Sequence, residues 1–176
     1  EQQRYTMLFE ALPNPVLHSR TENKKPIVQM VNQAFTDTFG YDTEAVAGDP
    51  IQEYIVPDGK ADAAERHNQQ VLTSGDVRTE VQRETTDGVR TFRLNVSTRQ
   101  NENGDHERYA VYTDITERKR REQQLIEAKS RYELLVDQNL VGLYIARDGT
   151  LAYHNDRFAE IFDYPAAKDS LVGKTL

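Results

Sequence analysis

The sequence predicts an α+β fold in which helices cover one face of an antiparallel sheet. Three strands with alternating apolar and polar residues lie between positions 77 and 113, and the connections between them are too short for the crossovers that parallel strands need. Helices are predicted before them, at the start of the chain and over 60–74. A sheet with one apolar face must be covered by another layer, so we expect a two-layer domain.

The first helix is predicted over residues 1–12, because its apolar residues recur with helical spacing and Pro13 ends it. These residues are Tyr5, Leu8, Phe9 and Leu12. Two short strands are expected next, over 16–19 and 27–31, joined by a polar loop over 21–25.

Between this hairpin and the three later strands the sequence predicts short helices. Asn32 is a favourable N-cap for a helix that Gly40 ends. Two helical turns, over 43–47 and 50–55, and the longer helix over 60–74 follow.

The chain contains one sequence pattern twice, 123 residues apart. The run from Val31 to Tyr41 reappears from His154 to Tyr164, with asparagine, phenylalanine and tyrosine at the same places. Such a long period indicates a duplicated domain, because solenoid repeats are about 20–50 residues long. We expect a first domain over 13–116 and the N-terminal part of a second over 139–176, which is partly disordered or covered by another molecule.

A long linker helix is predicted between the two copies, over 117–138. Asp114 and Glu117 are placed as a capping box, with Asp114 accepting from the third helical amide. A narrow apolar stripe follows with coiled-coil spacing, formed by Leu125, Ala128, Tyr132 and Leu135. A polar helix with so narrow a stripe needs a partner, so we expect a homodimer through this helix.

Several motifs, in order and along the whole chain, resemble the PAS domain family. They are the Asn-x-x-Phe-x-x-x-Phe-Gly-Tyr run from Asn32 to Tyr41, the segment from Gly48 to Pro57, the Asp87-Gly88 turn, and the sequence from Asp114 to Arg118. The last motif and the Arg-Tyr-x-x-Leu sequence from Arg131 to Leu135 are similar to linkers between tandem PAS domains of microbial sensor proteins. The resemblance implies a five-stranded antiparallel sheet, short helices on one face, and a long helix after it.

The resemblance implies a sensory function, in which a small molecule or partner is detected between sheet and helices. A packed core without a ligand is the alternative. The candidate pocket walls are Met30, Phe35, Phe39, Ile51, Ile55, Val71, Arg83, Phe92, Leu94, Val96, Tyr109 and Val111. Arg83 is in phase with Val81, and if it points inward it is expected to bind an anion, because an unpaired buried guanidinium is costly. A signal hinge is expected at Asp114, Ile115 and Thr116.

The sequence excludes a covalent flavin adduct. Light-sensing PAS domains form it with a cysteine just after the first-motif asparagine, whereas here Gln33 follows Asn32 and the chain has no cysteine. Noncovalent flavin, an unknown small molecule and no ligand at all stay open. The histidine position of haem-binding relatives falls near Ala64, and His67 is expected to be a solvated surface residue, so haem is not indicated. The other histidines are too scattered for a metal site: His18, His106 and His154.

Composition and charge narrow the choice of partners. The net charge of −7 argues against a nucleic-acid-binding surface. Glutamates interleave with the basic run 118–121, which favours a solvated coiled-coil face. No apolar run approaches the roughly 18 residues of a membrane span, and a cytoplasmic location is expected. The acidic composition fits either a halophile or an ordinary acidic protein.

Two hypotheses about function follow. In the first, the segment is the input module of a multidomain signalling protein such as a sensor histidine kinase, and strand 107–113 relays a change in the pocket to the linker helix. In the second, it is a ligand-free interaction module, for example in a transcription regulator. The sequence shows no phosphate loop, nucleophile elbow or zinc-protease motif, so no catalysis is expected in this segment.

Overall fold

The helices and strands follow the predicted order. The structure is a computed structural model that describes residues 2–101, 105–137, 142–163 and 172–173. The elements are α1 (Gln2–Glu10), β1 (Val16–Glu22), β2 (Lys25–Val31), α2 (Gln33–Phe39), α3 (Thr43–Val46), α4 (Gln52–Ile55), α5 (Ala61–Ser74), β3 (Asp76–Thr85), β4 (Gly88–Gln100), β5 (His106–Asp114), α6 (Thr116–Asp137), β6 (Tyr144–Arg147), β7 (Thr150–His154) and α7 (Asp156–Ile161).

The first of two units, residues 1–119, is built on a five-stranded sheet in the order β2-β1-β5-β4-β3. All four neighbouring pairs are antiparallel, and β5 lies in the middle, between β1 and β4. The short helices pack their apolar side chains against one face and form a single core with it. The predicted α+β architecture, with a long helix after the sheet, is confirmed.

The first hairpin is tighter than predicted. Its strands extend into the expected polar loop, and only Asn23 and Lys24 remain in the turn. Both residues have positive φ, at 48° and 65°, as a two-residue type I′ turn requires. Asparagine adopts this conformation readily, whereas lysine does so at a modest cost.

A bulge in this hairpin decides which residues of β2 face the helices. The pairing shifts between His18 and Ser19, which leaves Gln29 as an extra residue on β2. The extra residue reverses the alternation of side chains beyond it. Val31 is therefore buried, whereas Met30 lies on the other face of the sheet.

Four aromatic side chains fill one end of the core. The ring of Phe39 contacts each of the other three in tilted or edge-to-face geometry, at 4.5–5.4 Å between centroids. The members of this aromatic cluster are Phe35, Phe39, Phe92 and Tyr112. All are buried.

The side-chain amide of Asn32 connects several segments and is fully buried. Its oxygen accepts hydrogen bonds from the amides of Val16 (2.8 Å) and Phe35 (3.0 Å), so it caps α2 as predicted and also holds the start of β1. Its nitrogen donates to the carbonyls of Phe9, Leu12 and Asn14 at 3.0–3.3 Å. The end of α1 is thereby fixed to the rest of the unit.

The apolar stripe of α1 is covered less than its helical spacing predicts. Phe9 is buried, whereas Tyr5, Leu8 and Leu12 are exposed, Leu8 at 71%. Helical periodicity predicts an apolar face, but the packing of neighbouring elements decides how much of it is covered.

The second unit, residues 120–176, repeats the asparagine contacts of the first. Asn155 accepts from the amides of Leu143 (2.8 Å) and Phe158 (3.0 Å), and strands β6 and β7 carry a bulge with Ala152 as the extra residue. Ala152 stands 123 positions after Gln29, so the bulge recurs at the matching place. Residues 164–171 and 174–176, on which the predicted disorder or covering of this segment mainly rests, lie outside the described residues.

Replacement of Asn32 by aspartate keeps the acceptor and removes the donor. We expect Asn32→Asp to lower the free energy of unfolding by about 3 kcal/mol, since each buried carbonyl left without a donor costs roughly 1–3 kcal/mol. Urea denaturation measures this. The matched Asn95→Asp, on the outer face of β4, should change stability by less than about 0.5 kcal/mol. Equal stability of the two variants contradicts the role of Asn32.

Candidate functional site

A cavity lies between the sheet and the helices α4 and α5, and we call it the inner cavity. Its volume is about 50 Å³, which accommodates a few water molecules. The lining residues are Leu17, Ser19, Pro26, Ile51, Gln52, Ile55, Val56, Ala64, His67, Asn68, Val71, Val77, Arg83, Leu94, Val96, Arg108, Ala110 and Tyr112.

Six of the twelve predicted wall residues line the inner cavity: Ile51, Ile55, Val71, Arg83, Leu94 and Val96. Their role in binding a ligand stays a prediction. Phe35, Phe39 and Phe92 belong to the aromatic cluster instead and are core residues that do not line this space.

The other three predicted wall residues face away from the cavity, which corrects the expectation. Met30 is displaced by the bulge at Gln29. Tyr109 and Val111 alternate with the buried residues of β5, so they lie on the outer face. The prediction therefore chose the wrong face of β5, because the residues that look more apolar in the sequence point away from the cavity.

The inward face of β5 carries Arg108, Ala110 and Tyr112, and sequence analysis missed all three. Arg108 is 5% exposed and Arg83 is 6% exposed, so two guanidinium groups are buried in one cavity. The spacing of two between residues 108, 110 and 112 was visible in the sequence. The burial of Arg108 could not be predicted from this spacing, because arginine is rarely fully buried without a charge partner.

The two guanidinium groups have neutral hydrogen-bond partners. Arg108 Nη1 donates to Asn68 Oδ1 at 2.6 Å, and Arg83 Nη1 donates to the carbonyl of Gln82 at 2.8 Å. The Nε atoms of both arginines are buried without a partner. No aspartate or glutamate lines the described inner cavity.

Burial shifts the pKa values of the cavity residues. It lowers the pKa of Arg108 to about 10, so this guanidinium remains charged at neutral pH. Burial raises the pKa of Tyr112, and the charges of Arg83 and Arg108 only partly oppose this shift. The phenol therefore stays neutral and cannot compensate the two positive charges.

His67 is half-buried beside the cavity, so its predicted place on the solvated surface is wrong. Burial, and then the charge of Arg83, lowers the pKa of His67 and keeps the imidazole neutral at pH 7. The side chains of His67 and Arg83 also border an adjoining space of about 270 Å³ between α5 and β3, which we call the outer cleft.

The predicted hinge is attached to β4 by hydrogen bonds. The amide of Ile115 donates to the carbonyl of Thr91 at 2.9 Å, and the amide of Thr91 donates to Thr116 Oγ1 at 2.9 Å. Asp114 is the last residue of β5, and its carboxylate accepts from the amide of Thr116. The predicted bond from the third helical amide is thus wrong, because α6 begins at Thr116.

The first turn of α6 is also attached to β3. Glu80 forms ion pairs with Lys119 (2.6 Å) and Arg118 (3.4 Å). Together with the Thr91–Thr116 hydrogen bonds, these contacts form what we call the helix anchor. The two strands that hold the start of α6 also line the inner cavity. Strand β3 contributes Val77 and Arg83, and strand β4 contributes Leu94 and Val96.

Comparison with known families identifies the architecture. A family model described as PAS fold matches residues 9–120, and one described as PAS domain matches residues 130–176. The chain belongs to the PAS family. PAS domains are generally sensory, non-catalytic modules that commonly dimerise or pass signals to partner domains. No curated protein matches the sequence.

Solved PAS structures share the fold at low sequence identity. An RNA-binding light-oxygen-voltage receptor is 21% identical with a TM-score of 0.62, and the match covers 73% of this chain and 37% of that one. The PAS domain of an HTR-like protein from Haloarcula marismortui is 24% identical (TM-score 0.51; 65% and 91% covered). The Cronobacter turicensis RpfR quorum-sensing receptor PAS domain, in complex with C12:0, is 17% identical (TM-score 0.50; 60% and 96% covered).

The predicted seam of the linker helix is exposed in the single chain. Leu125 and Tyr132 are 71% and 56% exposed, and Ala128 is exposed as well. The side chain of Leu135 lies outside the described residues.

Within the described ranges, no helix is both long and apolar enough to cross a bilayer. The same ranges contain no group of three or more metal-ligating side chains.

Removal of one hydroxyl tests the helix anchor of this PAS domain. Thr116→Val loses both hydrogen bonds with Thr91, so we expect amide exchange at residue 91 to become about tenfold faster, equivalent to about 1.4 kcal/mol. NMR-detected hydrogen exchange measures this. Thr113→Val, on the outer face of β5, is the matched control. Unchanged exchange in Thr116→Val rules out the anchor.

Glu80 of the helix anchor and the neighbouring Asp114 also give an acid-dependent stability. The hydrogen bond from Lys119 lowers the pKa of Glu80, and hydrogen bonds from Thr116 and Arg90 outweigh burial and lower the pKa of Asp114. A lowered folded-state pKa contributes stability that is complete above the unfolded values of 4.5 and 3.8 and is lost as the pH falls below them.

We therefore expect Glu80→Gln with Asp114→Asn to flatten the loss of stability below about pH 4.5. Urea denaturation across a pH series measures the slope. Glu84→Gln, exposed on the same strand as Glu80, should leave the slope unchanged. A double variant with the parent's acid slope contradicts the prediction.

Proposed function

We propose that the first PAS domain is the input module of a signal-transduction protein. It detects a small molecule in the inner cavity and relays the change through α6 to an output domain that follows in the chain. The PAS relative in complex with C12:0 supports a small-molecule ligand for this fold. The whole protein, which we expect to be cytoplasmic, is then a multidomain regulator such as a sensor histidine kinase.

One observation carries this proposal: the strands that line the inner cavity also hold the start of α6. Strand β4 presents Leu94 and Val96 to the cavity and binds Thr116 through Thr91. Strand β5 presents Ala110 to the cavity and leads directly into α6. A displacement at the cavity is therefore transmitted to the helix through continuous backbone.

The relay needs two states with different affinities for the ligand, because a ligand that binds both states equally shifts no population. In one state the helix anchor holds α6 against β3 and β4. In the other, the ligand moves β4 or β5 and weakens the Thr91–Thr116 hydrogen bonds, so that the direction of α6 changes. The helix contributes about 1.5 Å per residue, and so carries a small tilt over a long distance.

The linker helix is proposed to act in a homodimer. Leu125, Ala128 and Tyr132 are exposed along α6, and Leu135 continues their spacing in the sequence. Covering this stripe with the same helix of a second copy forms a coiled-coil seam. Rotation or sliding of the two helices then delivers the signal to the second PAS copy and the output domain.

A ligand-free interaction module is the second candidate. The inner cavity, at about 50 Å³, is small compared with the roughly 300–1,000 Å³ of typical ligand sites. A core this well filled also suits a domain that binds partners through its surface. In that case no small molecule is bound and cavity substitutions leave function unchanged.

Native mass spectrometry of the purified chain, with an absorbance spectrum, tests the sensory proposal. We expect a dimer that carries an additional small mass. Val71→Phe fills the cavity and should remove that mass, whereas the neighbouring Leu72→Phe, 38% exposed, should retain it. A protein that carries no additional mass, and that binds no compound of a metabolite library, favours the interaction module.

Cysteine cross-linking tests the relay, because the chain has no native cysteine. Leu125→Cys should form a disulfide-linked dimer, at a rate that changes when the cavity ligand is added or when Val71→Phe is introduced. Leu125→Lys with Leu135→Lys should abolish the dimer, while Gln124→Lys with Ser130→Lys should keep it. If the first pair of substitutions leaves the dimer intact, the coiled-coil relay is contradicted.

A further inference from the structure

The inner cavity holds two buried positive charges and no negative one. Arg83 on β3 and Arg108 on β5 are each more than nine-tenths buried, and both line the cavity. Neither is in an ion pair among the residues that the structure describes. His67 is kept neutral and Tyr112 is not ionised, so no lining group balances the charge.

This arrangement is costly without an anion. The effective penalty for burying one charged group is several kcal/mol, and charge pairing or several hydrogen bonds must offset it. Each guanidinium has five N–H donors, yet the Nε–H of both is buried without an acceptor. An acceptor with negative charge would satisfy these unused donors and also balance the two guanidinium charges.

The guanidinium groups come from separate strands but share neighbours. The charges of Arg83 and Arg108 both act on the hydroxyl of Tyr112. Asn68 orients Arg108 from α5 and is itself held, because its amide nitrogen donates to the carbonyl of Lys24 at 3.0 Å. An anion placed beside Tyr112 is within the field of both charges.

The remaining walls specify the chemistry of the anion. Aliphatic side chains form the rest of the lining, among them Ile51, Ile55, Val71, Leu94 and Val96. A ligand with a charged head group and a short apolar body matches such a site. A fully hydrated anion such as phosphate has no apolar part that could contact the aliphatic side chains. A carboxylate also fits the planar N–H fork of arginine with two parallel hydrogen bonds.

The outer cleft adjoins the inner cavity beside Arg83. The outer cleft shares Ala64, His67 and Arg83 with the inner cavity. It is also bordered by Lys60, whose positive charge favours the approach of an anion. Glu80 and Thr91, which belong to the helix anchor, line the same cleft, so the cleft lies beside the contacts that hold the start of α6.

We propose that the inner cavity is a binding site for a short-chain carboxylate, whose head group is held by Arg83 and Arg108 and whose apolar body contacts the aliphatic wall. This inference rests on the proposed sensory function and names the class of its ligand. The carboxylate reduces the unbalanced buried charge and links β3 and β5, which lie on either side of β4, through the two arginines.

Calorimetric titration of the full chain with sodium acetate, propionate and butyrate tests the site. Chloride replaces the probe in the reference so that ionic strength is constant, and inorganic phosphate is titrated separately. We expect saturable binding of at least one carboxylate and a matching rise in Tm. Arg83→Met and Arg108→Met should each weaken binding by at least about tenfold.

Two further variants separate binding from folding. Arg78→Met removes the same charge from the exposed face of β3 and should leave the affinity unchanged. Arg83→Lys keeps the charge but lacks the two-pronged geometry, so it should bind with intermediate affinity even if a methionine variant fails to fold. Equal affinity in the parent, Arg83→Lys and Arg108→Met overturns the site.

The remaining outcomes distinguish this site from the sensory function. Saturation by phosphate alone, or by no anion, overturns the carboxylate assignment. A neutral molecule that co-purifies and changes the Leu125→Cys cross-linking also overturns it, while the sensory function stands. Carboxylate binding without any change in cross-linking supports the site and contradicts the relay.

Discussion

The first unit depends on the buried side-chain amide of Asn32. A single planar group accepts from the amides that begin β1 and α2, and it donates to carbonyls at the end of α1 and in the segment that follows. No other polar side chain combines two acceptor and two donor sites in so small a volume, apart from the longer glutamine. Backbone groups at the end of α1, in the segment after it, and at the starts of β1 and α2 find hydrogen-bond partners there, and the apolar core packs around them. Asn155 makes the two accepting contacts again in the second unit.

The place of β5 in the sheet connects the cavity with the linker helix. Because β5 lies between β1 and β4, its inward-facing residues reach the middle of the core. The residues at its C-terminal end are held by hydrogen bonds with β4. A strand at the edge of the sheet would contact the cavity on one side only. The central position therefore makes the start of α6 sensitive to the packing of the whole sheet, which suits a domain of a sensory family.

The two buried arginines add a constraint that packing alone does not explain. An aliphatic residue at either position would fill the same space at lower cost, because an unpaired charge in a core is destabilising. Asn68 and the carbonyl of Gln82 supply neutral partners, which orient the guanidinium groups but leave the net charge in place. Stability is thus lowered at one site within the core, as is common where a protein binds a ligand.

The sequence by itself determined the architecture, because strand alternation, helical spacing and turn residues are local properties of the chain. It also placed Asn32 as a cap, and half of the wall residues that it predicted line the cavity. Only the tertiary structure decided which face of each strand points inward. The bulge at Gln29 reverses β2, and the phase of β5 depends on its pairing with β1 and β4, so Met30, Tyr109 and Val111 lie outside while Arg108 lies inside. A side-chain period of two gives two equivalent phases for any strand, and only the contacts between distant segments choose one of them.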